Sequence, residues 1–218
     1  MRQGKLSGAL KTPPCLHGGF IRPHYASTMR RAIFLDRDGV LIRTFVRDGT
    51  PHPPKFLDEV EILPGVRPAL EIFRRLDFQL LVVTNQPDVS RGTQTRSQVE
   101  QINAALSHAL ALDGVYVCYH DNADRCECRK PAPGLLLEAA AVHDIDLFAS
   151  YMVGDRGSDI AAGAAAGCQT FLIEQSYSRC NPIKPTYLAA DLLDVATQIQ
   201  RTIETATARQ KFRRTAPV

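Results

Sequence analysis

The stretch Ala32-Ile33-Phe34-Leu35-Asp36-Arg37-Asp38-Gly39 runs four apolar residues straight into two carboxylates and a glycine. A short apolar run that stops at an acidic, glycine-containing loop reads as a buried strand with a polar exit. Asp36 and Asp38 are one residue apart, so both can converge on one ligand, and Gly39 lets the backbone turn sharply behind them. Alone, the pattern also fits an ordinary polar strand exit.

The same construction recurs further along. Gln79 to Val83 is a second apolar run and ends at Thr84-Asn85-Gln86. Val115-Tyr116-Val117 is a third; Tyr151-Met152-Val153 is a fourth, ending at Gly154-Asp155; Thr170 to Ile173 is a fifth. Helical periods lie between them: Val66 to Leu76, Val99 to Leu110 behind a capping-box pattern from Thr95 to Gln98, Leu135 to Ala141, and Ile160 to Ala166 stopped by Gly167. Leu188 to Ile203 reads as a terminal helix. Strands alternating with helices predict an α/β fold, a Rossmann-like, doubly wound parallel sheet covered on both faces. Ligands of such sheets bind at the carboxyl ends of the strands, where Asp36, Asp38, Thr84, Asn85 and Asp155 all fall.

Each polar segment has a chemical and a bland reading. The hydroxyl and backbone amides of Thr84-Asn85-Gln86 can hold a phosphate oxygen, or merely stabilise a turn. In Arg129-Lys130-Pro131-Ala132-Pro133, Lys130 can offset a phosphate charge, or the segment is a solvated basic loop. In Gly154-Asp155-Arg156-Gly157-Ser158-Asp159, Asp155 follows a strand, whereas Asp159 reads as an acid complementing a helix dipole.

Cys118-Tyr119-His120 and Cys126-Glu127-Cys128 form a separate signal. Each pair is spaced i, i+2, so in extended chain both side chains face the same way. Four soft or borderline ligands within eleven residues fit a closed, structural zinc site that staples the polar loop between them. The other reading is three free thiols and a loop histidine.

Taken in order, D-R-D-G at 36–39, T-N-Q at 84–86, R-K-P at 129–131 and G-D-x-x-x-D at 154–159 resemble the haloacid dehalogenase superfamily of phosphatases, from about Arg31 to Glu174. The Cys/His insert and the region from Pro53-Pro54 to Leu63-Pro64-Gly65-Val66 resemble its D-glycero-D-manno-heptose 1,7-bisphosphate phosphatases. Histidinol-phosphate phosphatases share the zinc-stapled loop. The resemblance implies Mg²⁺ held by the Asp36 carboxylate, the Asp38 backbone carbonyl and Asp155. It implies nucleophilic attack by Asp36, acid-base work by Asp38, and a transferring phosphoryl group held by Thr84 and Lys130. Asn85, Arg129 and Arg156 are the candidate substrate contacts, the arginines for a second anionic group. The expected substrate is a small phosphorylated sugar carrying the 7-phosphate of the heptose bisphosphate, with histidinol phosphate as the alternative. A polynucleotide 3′-phosphatase and a non-enzymatic zinc-stapled binding module are further alternatives. Departures from the heptose pattern fall at Ile42, at Pro87-Asp88 and at Gly157.

Asp36 to Thr84 spans 48 residues and Thr84 to Lys130 spans 46, and elements already counted fill both, so no large cap domain is expected. The 218 residues suffice for one domain with its own core. The net charge of +3 is unevenly spread: residues 1–28 carry +4, residues 201–218 carry +4, and the body between carries −5. Both ends read as basic tails flanking a phosphatase domain at 29–200, with Met29 the expected start. A body of negative charge argues against nucleic acid as partner. No apolar run long enough for a membrane span occurs. Six cysteines are then expected to serve as metal ligands or free thiols in a cytoplasmic monomer.

Overall fold

The computed structural model describes residues 29–47, 50–175 and 184–215. In chain order the elements are β1 (Arg31–Leu35), β2 (Phe45–Arg47), β3 (Thr50–His52), α1 (Val66–Arg75), β4 (Phe78–Asn85), α2 (Arg96–Leu110), β5 (Gly114–Cys118), α3 (Gly134–His143), β6 (Tyr151–Gly154), α4 (Gly157–Ala166), β7 (Gln169–Ile173), β8 (Tyr187–Ala189) and α5 (Leu192–Thr215). Six strands form one parallel sheet in the order β5-β4-β1-β6-β7-β8.

The period of two along β1 divides the core. Ile33 and Leu35 point to one face and join residues of α1, α2 and α5, including Leu70, Phe73, Ile102, Val195 and Ile199. Ala32 and Phe34 point to the other and join Leu136 and Ala139 of α3 and Ala162 of α4. Every one of these residues is at most 1% exposed. Burying one large apolar side chain contributes about 1.5–3 kcal/mol, so a sheet packed on both faces gives the strand ends a rigid base.

The doubly wound sheet follows the expectation, and so does the Thr95 cap: Gln98 N donates to Thr95 Oγ1 at 3.3 Å, and Thr95 N donates back to Gln98 Oε1 at 2.8 Å. Three elements differ. The antiparallel hairpin β2–β3 was not read from sequence, because its residues Thr50-Pro51-His52 carry no apolar alternation. Leu188 and Ala189, expected to open the last helix, instead join Tyr187 in a strand that extends the sheet beside β7, and the helix starts only where Asp194 N finds Asp191 Oδ1 at 2.8 Å. At its other end α5 runs past both Ile203 and the expected tail boundary at 200–201 to Thr215. Thr202, Thr205 and Thr207 each donate a hydroxyl bond to the carbonyl four residues back, so their side chains are satisfied within the helix. The expected tail at 1–28 and start at Met29 concern residues outside the described set.

Among the described residues no cap domain appears. Between β1 and α1 lie the small hairpin and a 3-10 turn at Leu57–Glu59, and between β4 and β5 only α2 and its loops.

Candidate active site and metal centre

Three strand ends and one loop build the site. Asp36 and Asp38 leave β1, Thr84 and Asn85 end β4, Asp155 follows β6, and Lys130 comes from the loop before α3. Gly39 turns the chain at φ 88°, as the sharp turn behind the two acids required.

Lys130 is the hub. Its ammonium donates to Asp36 Oδ1 at 2.8 Å and to the Val83 carbonyl at 2.7 Å, and lies 2.7 Å from Asp159 Oδ1. Burial opposes its charge, but Asp159 and Asp36 outweigh burial and hold the lysine pKa above its ordinary value. Asp159 was read from sequence as a dipole-complementing acid, yet it is 1% exposed and part of the cluster. Burial first, opposed by Lys130 and reinforced by Asp36, raises its carboxyl. Gly154 makes room for it: a Cβ at that position would come within 2.1 Å of the Asp159 Cβ.

Asp36, Asp155 and Asp159 are all buried, and one carboxylate oxygen from each lies within 4.8 Å of the others. With Asp38 beside them, and with Lys130 and Arg37 as the buried cations among the described residues, the site carries surplus negative charge. Oxygen donors of this kind fit Mg²⁺. Asp159 thus joins Asp36 and Asp155 as a candidate ligand. The Asp38 side chain faces elsewhere: Arg37 donates to both its oxygens at 3.1 and 3.0 Å, and Gln86 Nε2 donates to Oδ2 at 2.7 Å. Thr84 is fully buried and accepts from the same Gln86 amide at 2.8 Å. Asn85 grips the backbone of Lys130 from both sides, donating to its carbonyl at 3.0 Å and accepting from its N–H at 3.1 Å. Its amide therefore holds the lysine loop, and it lines the cavity from that position.

Above this floor opens a cavity of about 390 Å³. Arg129 and Arg156, the candidate contacts for a second anionic group, line it with Lys130, and Arg91 joins them. His52, which had no motif partner in the sequence, reaches the rim with Thr50 and Pro51 of the hairpin. Of the departures from the heptose pattern, Ile42 is fully buried in the core and Gly157 opens α4, whereas Pro87 and Asp88 line the cavity. The Asp88 carboxylate lies 3.8 Å from Arg91.

Cys118, His120, Cys126 and Cys128 converge as the spacing suggested, with ligand atoms within 4.8 Å of one another. The sulfur pairs lie 3.7, 3.3 and 3.4 Å apart, and His120 Nδ1 lies 3.6 and 3.3 Å from Cys118 and Cys128. A tetrahedral zinc with bonds of about 2.3 Å to sulfur needs edges of roughly 3.5–3.8 Å, so the set fits that ion. Burial pushes the Cys118 thiol up to about 12, with help from its bond to Cys128. Burial also opposes ionisation of Cys126, but bonds led by that from Cys128 bring it down to about 7. The cluster is tied to the cavity. Arg129 donates to the Asn122 side chain at 2.8 Å and to the carbonyl of His120 at 3.2 Å. Arg91 forks onto Asp121 at 2.8 and 2.7 Å.

Residues 127–195 match the HAD-hydrolase-like family model. The D-glycero-beta-D-manno-heptose-1,7-bisphosphate 7-phosphatase of Escherichia coli O6:H1 is 37% identical over 163 residues, covering 69% of this chain and 83% of that one. The enzyme of the same name from Helicobacter pylori J99 is 35% identical over 165 residues, covering 72% and 88%. The crystal structure of D,D-heptose 1,7-bisphosphate phosphatase from B. bronchiseptica, complexed with magnesium and phosphate, superposes with a TM-score of 0.69 at 31% identity, over 79% of this chain and 99% of that one.

Proposed function

The chain belongs to the haloacid dehalogenase-like phosphatases and is a phosphoric monoester hydrolase, and from that premise we propose that it removes the 7-phosphate of D-glycero-D-manno-heptose 1,7-bisphosphate. One observation carries the reading. A single cavity joins an acidic floor, suited to a metal and a phosphoryl group, to a rim with Arg129 and Arg156. A substrate with two phosphates fits both ends at once. A cavity of about 390 Å³ suits a small molecule. The relatives named above are heptose bisphosphate phosphatases, which supports the same substrate.

The residues set up a two-step transfer. Asp36 attacks phosphorus in line; its carboxylate oxygen forms the new O–P bond as the bond to the sugar oxygen breaks. The electron pair goes to the sugar oxygen, which takes a proton from Asp38. Water then attacks the aspartyl-phosphate, Asp38 takes its proton, and the O–P bond to Asp36 breaks to release phosphate. Lys130 and Thr84 hold the phosphoryl oxygens, and their stabilisation matters most as the group flattens. Asp36, Asp155 and Asp159, with the Asp38 carbonyl, would hold Mg²⁺, which offsets phosphate charge so that an anionic nucleophile can approach. The Cys118, His120, Cys126 and Cys128 set would hold zinc as a structural ion that orients Arg129. The proposed enzyme is a cytoplasmic monomer. Among the described residues no helix is long and apolar enough to cross a membrane.

The test measures phosphate release from both anomers of the heptose bisphosphate and from histidinol phosphate, with Mg²⁺, with chelator, and with Asp36→Asn protein. Fast release from one heptose anomer, lost in both controls, is expected. Release from histidinol phosphate alone would keep the mechanism and overturn the substrate.

A further inference from the structure

Among the buried positions of α2, Val99, Ile102, Leu106 and Leu110 are apolar, and Asn103 is not. Asn103 is 7% exposed, and its Oδ1 accepts from Arg37 Nη1 at 2.9 Å. Arg37 is fully buried, and the rest of its fork is spent on Asp38, Nε to Oδ1 at 3.1 Å and Nη2 to Oδ2 at 3.0 Å. On the other side of Asp38, the Gln86 amide bridges Oδ2 and the Thr84 hydroxyl.

A two-point arginine–carboxylate fork makes the two groups share a plane, so the placing of the guanidinium sets the tilt of the carboxylate. Arg37 neighbours Asp38 in the chain, and a fork between adjacent residues can swing as a unit. The third bond, from α2, stops that swing, because α2 is packed into the core through Ile102 and Leu106. We propose that Asn103 is a positioning residue for the phosphatase reaction: through Arg37 it sets the direction in which Asp38 meets the leaving oxygen. It touches neither substrate nor phosphoryl group.

The role rests on the phosphatase reading but not on the choice of sugar. A proton donor matters most when the leaving group is a poor one. An alkyl phosphate expels an alkoxide, which needs the proton from Asp38; p-nitrophenyl phosphate expels a stable phenolate, which hardly does. The quantity to measure is the ratio of kcat/KM for glycerol phosphate to that for p-nitrophenyl phosphate, in the full chain with Mg²⁺. Asn103→Leu removes the acceptor, and the ratio should fall roughly tenfold or more. Asn103→Asp keeps an oxygen in the same place and should bring the ratio back to within about threefold of the parent. Should Asn103→Leu fail to fold, Asn103→Ser, too short to reach Arg37 but easily buried, takes its place with the same expectation. A merely structural asparagine would lower both rates together, and an unchanged ratio in an active variant overturns the proposal. No release by the parent chain from either ester, from the heptose bisphosphate or from histidinol phosphate overturns the phosphatase reading instead.

Discussion

The Lys130 ammonium lies 2.8 Å from the Asp36 carboxylate, with 2% of the lysine side chain open to solvent. The same nitrogen lies 2.7 Å from Asp159. Removing the cation leaves two buried carboxylates without their partner. Lys130→Met should therefore cost about 3–5 kcal/mol in denaturant unfolding, and lower phosphate release by roughly 100-fold or more. A variant as stable as the parent would show that the triad gives no net stability.

Burial raises the Asp159 carboxyl pKa against the opposing pull of Lys130. A divalent ion reverses such a shift. Asp159→Asn should weaken the rise in melting temperature that Mg²⁺ produces, since stabilisation by a ligand follows its affinity for the folded state. Thermal melts across a Mg²⁺ series check this, and equal Mg²⁺ shifts in parent and variant would exclude Asp159 from the metal site.

Arg156 reaches the rim, and among the described residues its close anionic partner is Asp155, at 4.0 Å. If it takes the second phosphate, Arg156→Ala should raise KM for the heptose bisphosphate by about 10–100-fold while kcat falls less, the mark of lost ground-state binding. A drop confined to kcat would place Arg156 nearer the reacting phosphate.

Zinc release should follow protons. Three thiols and one imidazole must be deprotonated to bind the ion, so affinity falls as pH falls. The ion pair beside the cluster behaves differently. Arg91 first, then the Asn122 N–H, hold the Asp121 carboxyl down to about 2. A depressed carboxyl contributes stability above its ordinary value of 3.8 and loses it only as pH falls through about 2. Acidification from pH 8 to about 4 should thus release zinc, read with a chromophoric chelator, while Arg91 and Asp121 stay paired. Cys128→Ser should release zinc at higher pH than the parent. Because Arg129 hangs on the His120 carbonyl and on Asn122, loss of zinc should also raise KM for a bisphosphate more than for a monophosphate.

Residues that end an apolar strand in a polar motif were legible from sequence: Asp36, Asp38, Thr84 and Asp155 each follow a run whose burial is plain from its composition. The cysteine and histidine spacing was legible too, because short-range geometry alone brings those four together. Asp159 was not, because an acid in the first turn of a helix has a local explanation that masks a tertiary one. Asn103 stood inside an amphipathic helix whose apolar positions drew the reading. Its partner Arg37 is 66 residues away. Arg91 became visible only when the fold brought it to Asp121, 30 residues on. Hairpin β2–β3 and strand β8 are three residues each, too short to establish a period.

The first strand among the described residues, β1, sits inside the sheet, between β4 and β6. During synthesis, β4 emerges early enough to pair along one edge of β1, with β5 beyond it, but β6 lies beyond residue 150. Until it arrives, β1 keeps one row of backbone donors and acceptors unpaired beside its most buried apolar residues. A nascent or truncated chain ending near α3 thus exposes a sticky edge at the strand that leads into Asp36. The protein does not divide into two self-sufficient halves, and a fragment of this kind should be an aggregation-prone client for chaperones.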